Sequence, residues 1–179
     1  MKPALHFGVY HSAGNNSHRF TLFTGRKQFF EKKIQENEVE LSLVGTKRVP
    51  EKFVDEIRQV FGDGEKPMKI GQIEYCVYDG HIASSSNYDP KGLRGLLPRE
   101  KRPLRGLGYL LERECLKHFL ENPHLGITHA STGPSPEHMR VAQLKKVGLP
   151  IRKAVPISEW INGLEKGIEL SRKKQVAGK

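Results

Sequence analysis

A mixed α/β (α+β) fold, with one largely antiparallel sheet flanked by helices, is what this sequence predicts. Three observations carry the prediction. Apolar residues recur with period two through the first half of the chain, the pattern of half-buried strands. Asp79-Gly80 joins two such stretches and is a strong hairpin-turn signal. After residue 105 the pattern alternates, with helix-spaced apolar residues separated by short apolar runs. At 179 residues the chain suits a single domain, residues 1–170, and is long enough to bury a real core. Residues 171–179, Ser-Arg-Lys-Lys-Gln-Val-Ala-Gly-Lys, form a basic, polar tail expected to fray.

The elements follow in order. Residues 5–10 read as a first strand. Residues 11–17 have the Gly/Asn/Ser composition of a connection. The same groups, with His11 and His18, also suit a substrate-facing loop. Residues 19–24 read as a second strand, ended by Gly25. Residues 26–35 fit either a strand or a short helix, and Phe29, Phe30 and Ile34 suit a helix face slightly better. Residues 39–44 are the clearest period-two strand. A helix starts near Pro50, buries Phe53, Val54, Ile57, Val60 and Phe61, and stops at Gly62-Asp-Gly64. A strand from Met68 to Tyr78 turns at Asp79-Gly80 and returns over residues 81–88. The return is polar for a central strand. Ser84, Ser85 and Ser86 read equally as an exposed edge.

Residues 89–103 form a long loop bearing Lys91, Arg94, Arg99, Lys101 and Arg102. It reads as an anion-facing lid or as a solvated charge run. The stretch 98–121 then organises the second half. Pro103 keeps the chain out of a helix up to that point. Gly106 and Gly108 open a helix whose apolar positions are Leu107, Leu110, Leu111, Cys115, Leu116, Phe119 and Leu120. Arg113 and Lys117 take its other face. The first amides of a helix have no internal partners, and its dipole is positive there. A glycine-lined helix start beside Arg102 and Arg105 is therefore suited to a phosphate. An ordinary core helix entered from a flexible loop would show the same residues. A short strand over residues 125–130 follows, then a polar loop over 131–136. A second helix runs from Glu137 to Val147 and ends at Gly148-Leu149. Residues 150–157 read as a last strand. Ser158 caps a final helix with Ile161, Leu164, Ile168 and Leu170 on one face and Trp160 as its anchor.

Over residues 103–149, this order resembles the GNAT superfamily of acyl-CoA-dependent N-acyltransferases. That family has Arg/Gln-x-x-Gly-x-Gly/Ala at the start of a long helix, then a strand, then a helix ending in a Lys-Leu-Gly-Phe-like turn. Gly106 and Gly108 match the glycines, and residues 146–149, Lys-Val-Gly-Leu, match the turn. The family's Arg/Gln position falls on Pro103, between Arg102 and Arg105, and the family's tyrosine acid falls on Leu144. The loop before the glycines is longer than usual for the family. The resemblance implies an acyltransferase-like fold and acetyl-CoA (coenzyme A) as cofactor. Its pyrophosphate would be held by the loop carrying Arg102, Leu104, Arg105, Gly106, Leu107, Gly108 and Tyr109.

Acyl transfer from a thioester to an amine needs the thioester held, its carbonyl polarised and the amine deprotonated. Glu74, on the strand that pairs with the polar return strand, and His129, on the strand after the motif helix, are the candidate catalytic bases. Each also reads as an ordinary structural residue, a solvated strand carboxylate and a satisfied interior imidazole. No Ser-His-Asp or Cys-His constellation and no zinc-ligand spacing is present in the sequence. A net charge of +10 and a pI near 9.7 favour anionic partners. The acceptor amine belongs to a small molecule or a protein. The alternative function is a nucleic-acid-binding or adaptor module that keeps an acyltransferase-like fold without catalysis. An aromatic content of 8% argues against a broad base-stacking platform. With two cysteines, Cys76 and Cys115, each in an apolar-periodic stretch, buried thiols are expected rather than a disulfide. No apolar run has the length of a signal peptide or a membrane span, so a soluble cytoplasmic protein is expected, with no membrane partner.

Overall fold

The structure, a computed structural model, describes residues 2–31, 33–36, 38–49, 51, 54–84, 107–132, 144–150 and 153–177. Its strands are β1 (Leu5–Ala13), β2 (Ser17–Arg26), β3 (Ile34–Glu36), β4 (Val39–Arg48), β5 (Met68–Tyr78), β6 (His81–Ser84), β7 (His129–Thr132) and β8 (Val155–Pro156). The helices used below are α1 (Val54–Phe61), α2 (Leu107–Glu121) and α3 (Ile157–Ala177). The fold is α+β, with eight strands in a mostly antiparallel sheet, as the sequence predicts. Among the described residues no helix is long and apolar enough to cross a membrane.

The chain forms two compact units, and β1, β2 and β5 contribute residues to both. The first takes in the described residues of Met1–Ser12 and Arg19–Gln72. Its strands follow the order β3-β4-β1-β2-β5. β1 pairs antiparallel with β4 from His6↔Arg48 to His11↔Ser42, with a bulge between Val9 and Tyr10. Tyr10, Phe23, Phe30 and Leu41 form one buried cluster. Tyr10 meets Phe23 edge-on, centroids 5.5 Å apart at 84°. Burial pushes the Tyr10 phenol up to about 12.

Phe30 explains two departures from the expected strand ends. Its ring lies against Gly8 and Gly25, where an added Cβ would come within 2.6 Å and 3.3 Å of it. Gly25 is thus a packing position inside β2, which runs on to Arg26 instead of ending at the glycine. The ambiguous stretch 26–35 resolves into both options, a 3₁₀ turn over Lys27–Phe30 and then β3. Strand β4 continues to Arg48, four residues past its expected end. Helix α1 stops at Phe61, where Gly62 (φ 81°) and Gly64 (φ 74°) take left-handed conformations. Pro50 and Phe53 lie outside the described residues.

The second unit takes in the described residues of Ala13–His18, Ile73–Asn87 and Arg105–Lys179, with strand order β5-β6-β7-β8. Asp79 (φ 36°) and Gly80 (φ 78°) supply the turn between β5 and β6, as their residue types predict. β5 and β6 pair antiparallel from Tyr75↔Ser84 to Tyr78↔His81. β6 and β7 pair parallel, from His81↔His129 to Ser84↔Thr132, with α2 between them in sequence. A parallel pair needs such a crossover, and the helix supplies it.

Several expectations change in this unit. The connection over residues 11–17 is short, since β1 reaches Ala13, β2 begins at Ser17, and Gly14 N–H donates to Ser17 O at 2.8 Å. The strand expected over 125–130 starts at His129, because Pro123–Leu125 form a 3₁₀ turn closed by Gly126 at φ 70°. Of the strand expected over 150–157, the described residues form Val155–Pro156. Ser158 lies inside α3, which begins at Ile157 and continues through Ala177, past the start of the expected tail.

Helix α2 buries Cys115, Leu116 and Phe119 as expected but not Leu120. Leu120 is 49% exposed, whereas Glu112 is 3% exposed and accepts a hydrogen bond from Trp160 Nε1 at 3.2 Å. Among the described side chains of α2, the buried ones are Glu112, Cys115, Leu116 and Phe119. Helices α2 and α3 pack together through that pair and through Tyr109, whose ring lies 3.0 Å from where a Cβ on Gly167 would sit. On α3, Leu170 faces outward at 44% exposure, while Trp160, Ile161, Leu164 and Ile168 are buried.

Candidate functional site

The second unit's sheet has two unlike faces. Strands alternate side chains, so Ile73 and Tyr75 share one face of β5, and Glu74, Cys76 and Tyr78 the other. The first face is buried and reaches α2, where the Tyr75 and Phe119 rings lie 6.1 Å apart at 89°. Pairing extends the second face to His81 and Ala83 on β6 and to His129 and Ser131 on β7. It is the more open face, with Glu74 and Cys76 half-buried, Tyr78 49% exposed and His129 exposed.

Glu74 and His129 share that face but do not meet. His129 lies in the row Tyr78–His81–His129, next to the β5–β6 turn. Glu74 is four residues further along β5, just past the level of Ser84 at the other end of β6. The separation is about 13 Å along the strand and about 10 Å across two strand spacings. One acid–base pair cannot be built from them. Glu74 lies nearer the end of β6 from which the chain goes on towards α2.

His129 is oriented by its neighbour. Thr128 Oγ1 donates to Gly80 O at 3.3 Å and lies 2.8 Å from His129 Nδ1. The Thr128 hydroxyl thus links the His129 ring to the β5–β6 turn. Beside it, Tyr78 stacks on His81, centroids 5.5 Å apart at 26°. Thr128, Tyr78 and His81 were not singled out from the sequence. The Asp79-Gly80 turn, which brings Gly80 O to Thr128, was the available signal for them.

Of the proposed cofactor residues, Leu107, Gly108 and Tyr109 form the opening turn of α2. Arg102, Leu104, Arg105 and Gly106 lie outside the described residues, as does the basic loop 89–103. The residues before this turn, 103–106, lie outside the described residues. A helix start has amides free for a phosphate group. Tyr109 packs on Gly167, so its ring belongs to the α2–α3 contact.

Leu144, at the family's tyrosine position, is 1% exposed and belongs to a helix end. Leu149 N–H donates to Leu144 O at 3.0 Å and Gly148 N–H to Lys145 O at 3.1 Å, with Gly148 at φ 77°. This double closure is a Schellman motif. Its terminal Leu149 is buried at 4%. The tail of the Lys-Val-Gly-Leu match is thus a helix stop held by packing.

Both cysteines are free thiols, Cys115 buried and Cys76 half-buried. Burial, with Glu112 and Glu114 nearby, pushes the Cys115 thiol far up, so it is inert as a nucleophile. Among the described residues, no group of three or more His, Cys, Asp or Glu side chains could hold a metal ion. The chain matches no known family model, no curated protein and no solved structure.

Proposed function

We propose that this protein is a cytoplasmic acyl-CoA-dependent N-acyltransferase acting on an amine. The observation that carries the reading is the β6–α2–β7 crossover, in which a parallel strand pair is joined through a helix that opens at Leu107-Gly108. In sequence that helix directly follows the Arg102-to-Gly106 stretch, so the arginines adjoin its start. The residues Arg102, Leu104, Arg105, Gly106, Leu107, Gly108 and Tyr109 make up the cofactor segment. The amides of Gly106 to Gly108 bind the pyrophosphate, and Arg102 and Arg105 neutralise it. Tyr109 fixes the helix start against Gly167.

Bound acyl-CoA supplies an activated thioester. Glu74 would take the proton from the acceptor amine, the amine nitrogen would form the new amide bond as the carbon–sulfur bond breaks, and the proton would pass on from Glu74 to the departing thiolate. Glu74 is the better of the two bases because it lies nearer the end of β6 that leads to α2. His129, at the opposite end of that strand pair, serves on the approach side of the same face.

The test is thermal unfolding with acetyl-CoA and with free coenzyme A. A ligand at a hundred times its dissociation constant adds about 2.7 kcal/mol. The reading expects a raised melting temperature with both. No shift at millimolar ligand, together with salt-sensitive RNA or DNA binding, would replace it with the nucleic-acid reading that the +10 charge also allows.

A further inference from the structure

The tip of the β1–β2 hairpin carries a histidine that the proposed chemistry does not use. The tip is closed by Gly14 N–H donating to Ser17 O, and it is tied to β5 by Val77 N–H donating to Asn16 O at 2.9 Å. His18 follows, 8% exposed. Its ring stands edge-on to Phe119 of α2, centroids 5.0 Å apart at 88°. His118 meets the same phenyl ring at 6.0 Å and 67°. Two imidazoles from different elements thus converge on one buried aromatic group.

Asn122 favours the neutral form of His118. Its Nδ2 donates to the His118 carbonyl at 2.8 Å, which identifies that end of the amide as nitrogen. The same nitrogen lies 3.3 Å from His118 Nδ1. An amide nitrogen only donates, so Nδ1 accepts and the ring is neutral, with its proton on Nε2. A proton added at Nδ1 would set one N–H against another.

His18 has a separate reason to stay neutral. Burial disfavours its charge, and a charged His118 would repel it, so its pKa lies below the ordinary value. The same holds for His118, where burial leads, Glu121 favours the charge and His124 opposes it. Burial prevails over the single carboxylate.

We propose that the hairpin tip, residues 13–18, is a pH-released clasp, closed on α2 while His18 and His118 are neutral and freed when they take up protons. Release uncovers Phe119, 1% exposed in the closed form. The size follows from linkage. A histidine that stays neutral when closed and titrates normally, near 6.5, when open multiplies the open population by up to about tenfold at pH 5.5. At pH 7.5 the same factor is close to one.

The experiment is amide hydrogen exchange on the whole chain at pH 7.5 and 5.5, corrected for the intrinsic rate. Exchange in residues 13–18 is expected to rise at pH 5.5 by up to about tenfold per histidine, with peptides from β3 and β4 unchanged. His18→Phe keeps a ring at the contact but cannot be charged, so the acid response of the tip should fall by the factor that His18 supplies. His118→Gln, which keeps an acceptor for Asn122, should reduce it likewise and serves if the first variant does not fold. Equal protection of residues 13–18 at both pH values overturns the proposal. So does a rise spread evenly over the chain, or a tip response unchanged in both variants.

Discussion

Gly163→Ala should destabilise this protein although alanine is the better helix former. Gly163 lies within α3, and an added Cβ there would sit 2.5, 2.7 and 2.8 Å from Leu149 Cγ, Cδ1 and Cδ2. All three distances are too short for carbon atoms, so something must shift. Leu149 has little room to yield, because its backbone closes the Schellman motif on Leu144 and its side chain is 4% exposed. Overpacking of this kind costs about 1–3 kcal/mol. Replacing a helical glycine by alanine returns about 1 kcal/mol. The net is a loss of up to about 2 kcal/mol. Leu149→Ala alone should cost about 2–5 kcal/mol by leaving a cavity. In the double variant the new methyl enters that cavity and the clash disappears. The two changes should therefore couple favourably by about 1–3 kcal/mol. Urea unfolding of the four proteins gives each term from the midpoint at constant slope. A Gly163→Ala protein more stable than the parent, or strictly additive changes, would refute the claim that Leu149 is held in place.

Trp160→Phe removes the donor to the buried Glu112 and should cost about 1–3 kcal/mol, read from the urea midpoint. His6, His18 and His118 all have folded pKa values lowered chiefly by burial. The unfolded chain then binds more protons than the folded one below about pH 6.5, so stability is full above that value. It should fall as pH drops from there towards the lower folded values and level off below them, as urea midpoints from pH 8 to pH 5 would show. Gly108→Val should abolish coenzyme A binding while circular dichroism stays unchanged, because a branched side chain would stand where the helix-start amides meet the anion. Retained affinity in a folded variant would move the cofactor elsewhere. Serine at Arg99, Lys101 and Arg102 should weaken coenzyme A more than its analogue lacking the 3′-phosphate, measured by calorimetry. Equal loss for both would make that loop a solvated surface.

Where neighbours in the chain decide the conformation, the sequence was enough. The span of β5, its turn at Asp79-Gly80 and the first residues of β6 follow from period two and from two residues suited to positive φ. The end of α1 at Gly62 and the helix stop at Gly148 follow from glycine in the same way. Helix α2 was legible as a helix from residues 107 to 121, and its stripe through residues 112, 115, 116 and 119 has the right spacing. That a glutamate, and not Leu120, joins that stripe depends on Trp160, 48 residues away, offering an N–H to it. Gly25 as a strand residue depends on the Phe30 ring lying against it. The start of β7 depends on a turn that places Thr128 on Gly80 O. The candidate bases show the same division. Their residue types could be read from the chain, but the distance between Glu74 and His129 is set by strand order and register. Those are chosen by burial of whole faces and by ladders between strands far apart in sequence, and no local pattern encodes them.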